Sequence, residues 1–191
     1  MSERKIGAGS RWLAKKIFRA AGWKYGSLAG VELPKCVICV APHTSNWDFI
    51  VGKIFYTSIG CNAHFLIKKE WFFFPVGLLL NYMGGVPVDR RKAALVTEQM
   101  VEEFNKRNIF QVAITPEGTR KPVKEWKKGF YHIAKVAEVP VLLIYMDYAK
   151  KEIGTLGVFH PTGDIIKDMK NIRSYYKNVS GRNPENFISV V

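Results

Sequence analysis

His43 and Asp48 stand five residues apart in "CVICVAPHTSNWDFI", residues 36–50, where a β-branched apolar run gives way to polar residues and then to a second apolar pattern. A histidine with a carboxylate on one ring nitrogen can act as a general base through the other; the acid fixes the tautomer and stabilises the imidazolium that forms. Inside one straight helix the two side chains would sit about 140° apart and could hardly touch. Thr, Ser and Asn before the second apolar stretch are, however, the signature of a helix N-terminus. The expected arrangement is therefore a strand, a turn carrying His43, and a helix whose first turn carries Asp48. From that turn His43 can fold back onto Asp48, and the helix dipole favours the ionised carboxylate. Taken alone the spacing is a weak signal. The other histidines, His64, His132 and His160, have no acid at the same spacing and look structural.

Two further stretches place charge beside glycine. "ITPEGTRK", residues 114–121, follows an apolar strand pattern, and as a plain sequence it is a turn. Glu117 and Arg120 nevertheless flank Gly118, whose backbone can approach a ligand closely, and a guanidinium supplies a bidentate fork for phosphate. "GGVPVDRR", residues 84–91, ends a strand pattern with Asp89, Arg90 and Arg91, where a solvated charged loop is the default.

The elements that must position these residues alternate. Strands are expected at 36–42, 63–68, 85–89, 109–115 and 139–147, with helical patterns at 10–24, 92–107 and 124–138 and a final strand and Tyr-containing helix after 152. Such alternation implies an α/β fold, a single domain over 1–191 with a largely parallel central sheet flanked by helices. Parallel sheets bind ligands at the carboxyl ends of their strands, where all three charged stretches fall.

Lys and Arg number 29 against 16 Asp and Glu, a net charge of +13, so the surface attracts anions: nucleic acid, anionic lipid or a phosphorylated substrate. Aromatic residues gather in "WFFF" and near the N-terminus instead of interleaving with lysines, which leans toward lipid. In residues 10–24 the apolar Leu13, Ala14, Ile17 and Phe18 oppose Arg11, Lys15, Lys16 and Arg19. This is either an amphipathic helix lying on a membrane or a helix packed on the domain with a solvated basic face. Residues 71–88 carry no charge over a length that touches the transmembrane threshold. Pro75, Gly77, Asn81, Gly84 and Gly85 interrupt them, which suits a buried or interfacial segment better than a span. Cys36 and Cys39 lie three apart in a strand, hence on opposite faces, and act as small buried hydrophobes; no metal is expected. Basic residues interrupt every apolar stretch near the N-terminus, so no secretory leader is expected and a reducing cytoplasm follows.

The order H-x4-D, G-x-P-V-D-R, P-E-G-T-R and "VPV", across residues 36–148, resembles the glycerolipid acyltransferase family that includes 1-acylglycerol-3-phosphate acyltransferases. "WKKGF", residues 126–130, also looks like the basic segment that follows the third motif in that family. The resemblance implies transfer of a fatty acyl group from a thioester, on coenzyme A or acyl carrier protein, to a hydroxyl of a lyso-glycerophospholipid, with 1-acylglycerol-3-phosphate the commonest acceptor. A lyso-aminolipid would use the same chemistry. It implies His43 as catalytic base, Asp48 as its partner, and Gly85, Arg90, Glu117, Gly118, Thr119 and Arg120 in the acceptor site. No cofactor and no enzyme nucleophile are implied. The expected setting is the cytoplasmic side of a membrane, with residues 1–30 facing the lipid and no nucleic-acid partner. A non-catalytic basic membrane or nucleic-acid binder is the competing class, and it leaves the ordered motifs unexplained.

Overall fold

In a computed structural model, residues 6–188 are described except position 90. Arg90, expected in the acceptor site, therefore lies outside the described residues.

A seven-stranded sheet organises the chain, in the order β1-β7-β6-β2-β5-β3-β4. The strands are β1 Lys24–Tyr25, β2 Lys35–Ala41, β3 His64–Lys68, β4 Gly85–Val88, β5 Phe110–Ile114, β6 Val141–Asp147 and β7 Glu152–Phe159. Neighbours run parallel except β6 and β7, which pair antiparallel across a short turn. β2 lies between β5 and β6, covered on both faces; its run of Val, Ile and Cys is what a strand buried on both sides requires.

The helices are α1 Ala8–Ala20, α2 Trp47–Ile59, α3 Val76–Tyr82, α4 Ala93–Lys106, α5 Gly129–Val136 and α6 Ile165–Ser174. One core joins Val37, Cys39 and Ala41 to Met100 and Phe104 of α4, Phe130 of α5 and Ile172 of α6. The other joins Cys36 and Ile38 to Phe18 of α1 and Phe55 of α2. Alternation along β2 thus sends the two cysteines to opposite cores. Both are free thiols, and burial pushes that of Cys36 up to about 12.

Two helix boundaries differ from expectation, and the uncharged stretch does not form a span. The first helix stops at Ala20 rather than running to 24, because Gly22 adopts φ +79° and turns the chain so that Lys24 and Tyr25 pair with β7. α5 starts at Gly129 rather than 124: Trp126 is drawn into the core against Tyr176, ring centroids 5.4 Å apart, and Lys127 N–H donates to the Pro116 carbonyl at 2.8 Å. The uncharged stretch 71–88 breaks into a 3₁₀ turn ending at Trp71, the seven-residue α3 and β4. No helix among the described residues is long and apolar enough to cross a membrane.

Candidate active site

His43 follows β2 by two residues, and α2 begins at Trp47, so the polar stretch between them forms the predicted turn. His43 Nδ1 lies 3.1 Å from Asp48 Oδ2. A carboxylate only accepts, so Nδ1 carries the proton and Nε2 is left with its lone pair; it meets no partner among the described residues. Oδ2 also accepts the Thr44 N–H at 2.8 Å and the Ser45 N–H at 2.9 Å. The turn thus wraps the carboxylate with its own backbone donors, which holds both the charge and the loop. Asp48 is nearly sealed, its side chain 3% exposed, whereas His43 is 22% exposed and open to a substrate.

β5 neighbours β2 in parallel, so the "PEGTR" turn arrives beside the histidine. Glu117 is buried beneath the loop, and its Oε1 accepts the His43 N–H at 2.9 Å. Its second oxygen meets no partner among the described residues. Burial lifts the carboxyl to about 7, against the pull of backbone donors including that of His43. Glu117 therefore supports the His43 loop from below rather than facing the opening. Gly118 has φ +63°, and a Cβ there would fall 2.8 Å from the Lys127 side chain, which crosses the turn. This contact ties "WKKGF" to the motif. Thr119 Oγ1 accepts the Lys121 N–H at 3.3 Å and tightens the same turn. Arg120 reaches across to the Asn46 side-chain carbonyl and stands exposed at the rim.

The "GVPVDR" strand is farther away. β4 lies three strands from β2, about 14 Å at the usual strand spacing. There Arg91 holds Asp89 through two hydrogen bonds of 3.0 and 3.1 Å, which keep that carboxyl well below the usual range. Gly85 sits at the opposite end of β4 from these charges. A Cβ on it would meet the Leu80 carbonyl at 2.9 Å, so its demand for glycine comes from packing against α3.

The structure adds groups that the motifs do not contain. Tyr148 O–H donates to Asp48 Oδ1 at 2.7 Å. Asn183 donates its side-chain N–H to the Thr44 carbonyl at 2.8 Å and its backbone N–H to Thr44 Oγ1 at 3.2 Å. The Arg182 guanidinium lies 5.4 Å from the Trp47 ring centroid. The signal for Tyr148 was its place three residues past Tyr145, which pairs with Ala41 of the parallel neighbour β2. Asn183 stands just before the 3₁₀ turn Pro184–Asn186, in a tail that carries no such marker.

The Acyltransferase family matches residues 31–147. No curated protein matches the chain. The crystal structure of the 1-acyl-sn-glycerophosphate (LPA) acyltransferase PlsC from Thermotoga maritima is similar in fold, with a TM-score of 0.55 and 19% identity over 91% of this chain and 80% of that one.

Proposed function

The chain belongs to the Acyltransferase family, and from that premise we propose that it moves a fatty acyl group from a thioester of coenzyme A or acyl carrier protein to a hydroxyl of a lyso-glycerophospholipid, most simply 1-acylglycerol-3-phosphate. The observation that carries this reading is the His43–Asp48 pair, with Nδ1 committed to the carboxylate and Nε2 open.

In the reaction Nε2 of neutral His43 takes the acceptor's hydroxyl proton as its oxygen attacks the thioester carbonyl. The tetrahedral intermediate collapses, the carbon–sulfur bond breaks, and the imidazolium returns the proton to the departing thiolate. Asp48 stabilises the imidazolium between these steps. General-base action contributes roughly 10² to 10⁴ in rate, and holding both substrates in place supplies much of the remainder.

The acceptor's hydroxyl and phosphate lie within a few bonds of each other, so the phosphate ligand must stand beside His43. Arg120, resting on Asn46 at the rim, satisfies that condition and offers a planar fork. Arg91, in the turn after β4, a strand offset from β2 by about 14 Å across the sheet, is better placed for a remote group of the donor.

The acceptor is a membrane lipid, and a lipid-facing surface supports this reading. Phe74 is 84% exposed, with Trp71, Leu78 and Tyr82 of the same segment also exposed. On α1 only Ala14 and Phe18 are buried; Trp12, Leu13 and Ile17 face outward beside Lys15 and Lys16. α1 thus packs on the domain through one stripe and offers a second apolar stripe with a basic border to a bilayer.

The test is a panel of lyso-phospholipid and lyso-aminolipid acceptors with a long-chain acyl thioester, scored by mass spectrometry of the lipid product. Acylated product with the wild type, and less of it by roughly 10² or more with His43→Ala, is the expected result. Thiol release that is independent of acceptor, or product formed equally by His43→Ala, would overturn the reading.

A further inference from the structure

Asp48 is the buried member of the pair, and its two oxygens are held differently. Oδ2 accepts from His43, Thr44 and Ser45, all within the same turn. Oδ1 accepts from a residue a hundred positions later, the Tyr148 phenol at 2.7 Å. Local backbone alone would leave Oδ1 without this donor, and the carboxylate plane would be fixed at one end.

We propose that Tyr148 is a positioning residue for the general base, fixing the plane of Asp48 and drawing off part of its charge so that His43 Nδ1 keeps its alignment. Tyr148 is itself held on three sides. Its ring meets Trp23 edge-on with centroids 5.0 Å apart, its N–H donates to the Ser180 carbonyl at 2.9 Å, and it follows β6, the parallel neighbour of β2. It lies one residue beyond the family-matched segment, which ends at 147. Burial and the bond to Asp48 push its phenol well above the usual range, so at neutral pH it remains a donor.

The charged and titratable groups facing this pair are Glu117 from the β5 turn and Arg182 from the C-terminal segment, beside Tyr148 itself. None of them replaces the donor to Oδ1 among the described residues. Removing the phenol hydroxyl therefore leaves more negative charge on Asp48 and favours protonated His43.

The proposal rests on the acyl-transfer reading, so its test needs one arm that does not use activity. In the first arm the titration of His43 is followed by NMR in the wild type and in Tyr148→Phe, which keeps the ring against Trp23. A His43 midpoint moved to higher pH is expected, and an unchanged titration overturns the proposal. In the second arm, acyl-transfer kinetics of Tyr148→Phe should show kcat lowered about tenfold to a hundredfold, the scale of a hydrogen bond to a charged group. Both KM values should stay within about twofold, and the acidic limb of kcat/KM should move to higher pH. A lowered Tm with normal kcat and pH profile would mean a merely structural tyrosine. Should Tyr148→Phe not fold, 3-fluorotyrosine at position 148 supplies a more acidic phenol of nearly the same shape. The His43 midpoint should then move to lower pH, and no movement overturns the proposal. Absence of acyl transfer by the wild type would count against the acyl-transfer reading, while the titration arm still decides the role of Tyr148.

Discussion

Two histidines stand at different heights of the same sheet, and their surroundings give them opposite chemistry. His64 opens β3, level with Val112 and so with Val37; β2 continues four residues, about 13 Å, beyond that level before the His43 turn. At His64, Arg107 lies 2.9 Å from Nε2 and the Gln111 carbonyl 3.3 Å from Nδ1. A guanidinium only donates and a carbonyl only accepts, so the ring is neutral with both nitrogens used. Burial, aided by Arg107, pushes its titration down to about 4. At His43 a carboxylate occupies Nδ1, and Nε2 faces outward. A base needs an anion behind it and a free lone pair in front; His64 has neither.

The largest expected effect separates the two sites by activity. His43→Ala should lower acyl transfer by roughly 10² or more, the loss of a general base, while melting like the wild type because the side chain is partly exposed. His64→Leu should do the reverse: kcat within about twofold, with stability lower by about 1 to 3 kcal/mol as Arg107 and the Gln111 carbonyl lose their partner. Steady-state kinetics beside thermal melts check both. Equal activity losses would erase the distinction.

Next in size is Asp48→Asn. The amide keeps the shape but removes the charge that stabilises imidazolium, so kcat should fall about tenfold to a hundredfold, in line with a charge-assisted bond. The same substitution at Asp89, which already serves Arg91 and Lys69, should have no catalytic consequence of that size. Arg120→Ala should then raise the acceptor's KM by about tenfold while leaving the donor's nearly unchanged. A change confined to the donor would reassign Arg120 to a coenzyme or carrier phosphate.

The smallest effect is on how stability depends on pH. Glu117 has a folded value of about 7 against an ordinary 4.5, so its contribution is full below 4.5 and is lost as pH rises through 7. His64 has a folded value of about 4 against 6.5, so its contribution is full above 6.5 and is lost as pH falls through 4. Between pH 4.5 and 6.5 the two oppose each other. Relative to the wild type, melts of Glu117→Gln from pH 5 to 7 should show stability rising more with pH, and those of His64→Leu should show it rising less. Parallel profiles for all three proteins would remove the burial argument for both groups.

The succession of elements was legible because period and punctuation are local properties. The β-branched run of β2, the polar turn and the apolar start of α2 define a strand, turn and helix, and the opposite placement of Cys36 and Cys39 follows from strand geometry alone. The return of His43 onto Asp48 was legible for the same reason, since both partners lie within one turn. Helix ends were less so: the amphipathic pattern runs on past Ala20, and it took Gly22 and the pairing of β1 with β7 to stop it.

Tertiary structure decided whatever depends on strand order. Sequence places "PEGTR" and "GVPVDR" alike at strand ends, yet β5 neighbours β2 while β4 lies three strands away, so among the described residues it is the former that touches the His43 loop. It also decided that Glu117 is buried under His43 instead of facing the opening, and that Gly85 serves the packing of α3. The contacts of Tyr148 and Asn183 span 100 and 139 positions. Periodicity and turn chemistry act over a few residues and carry no information about which distant segment will close on a loop; that is set when the sheet chooses its neighbours and the two cores fill.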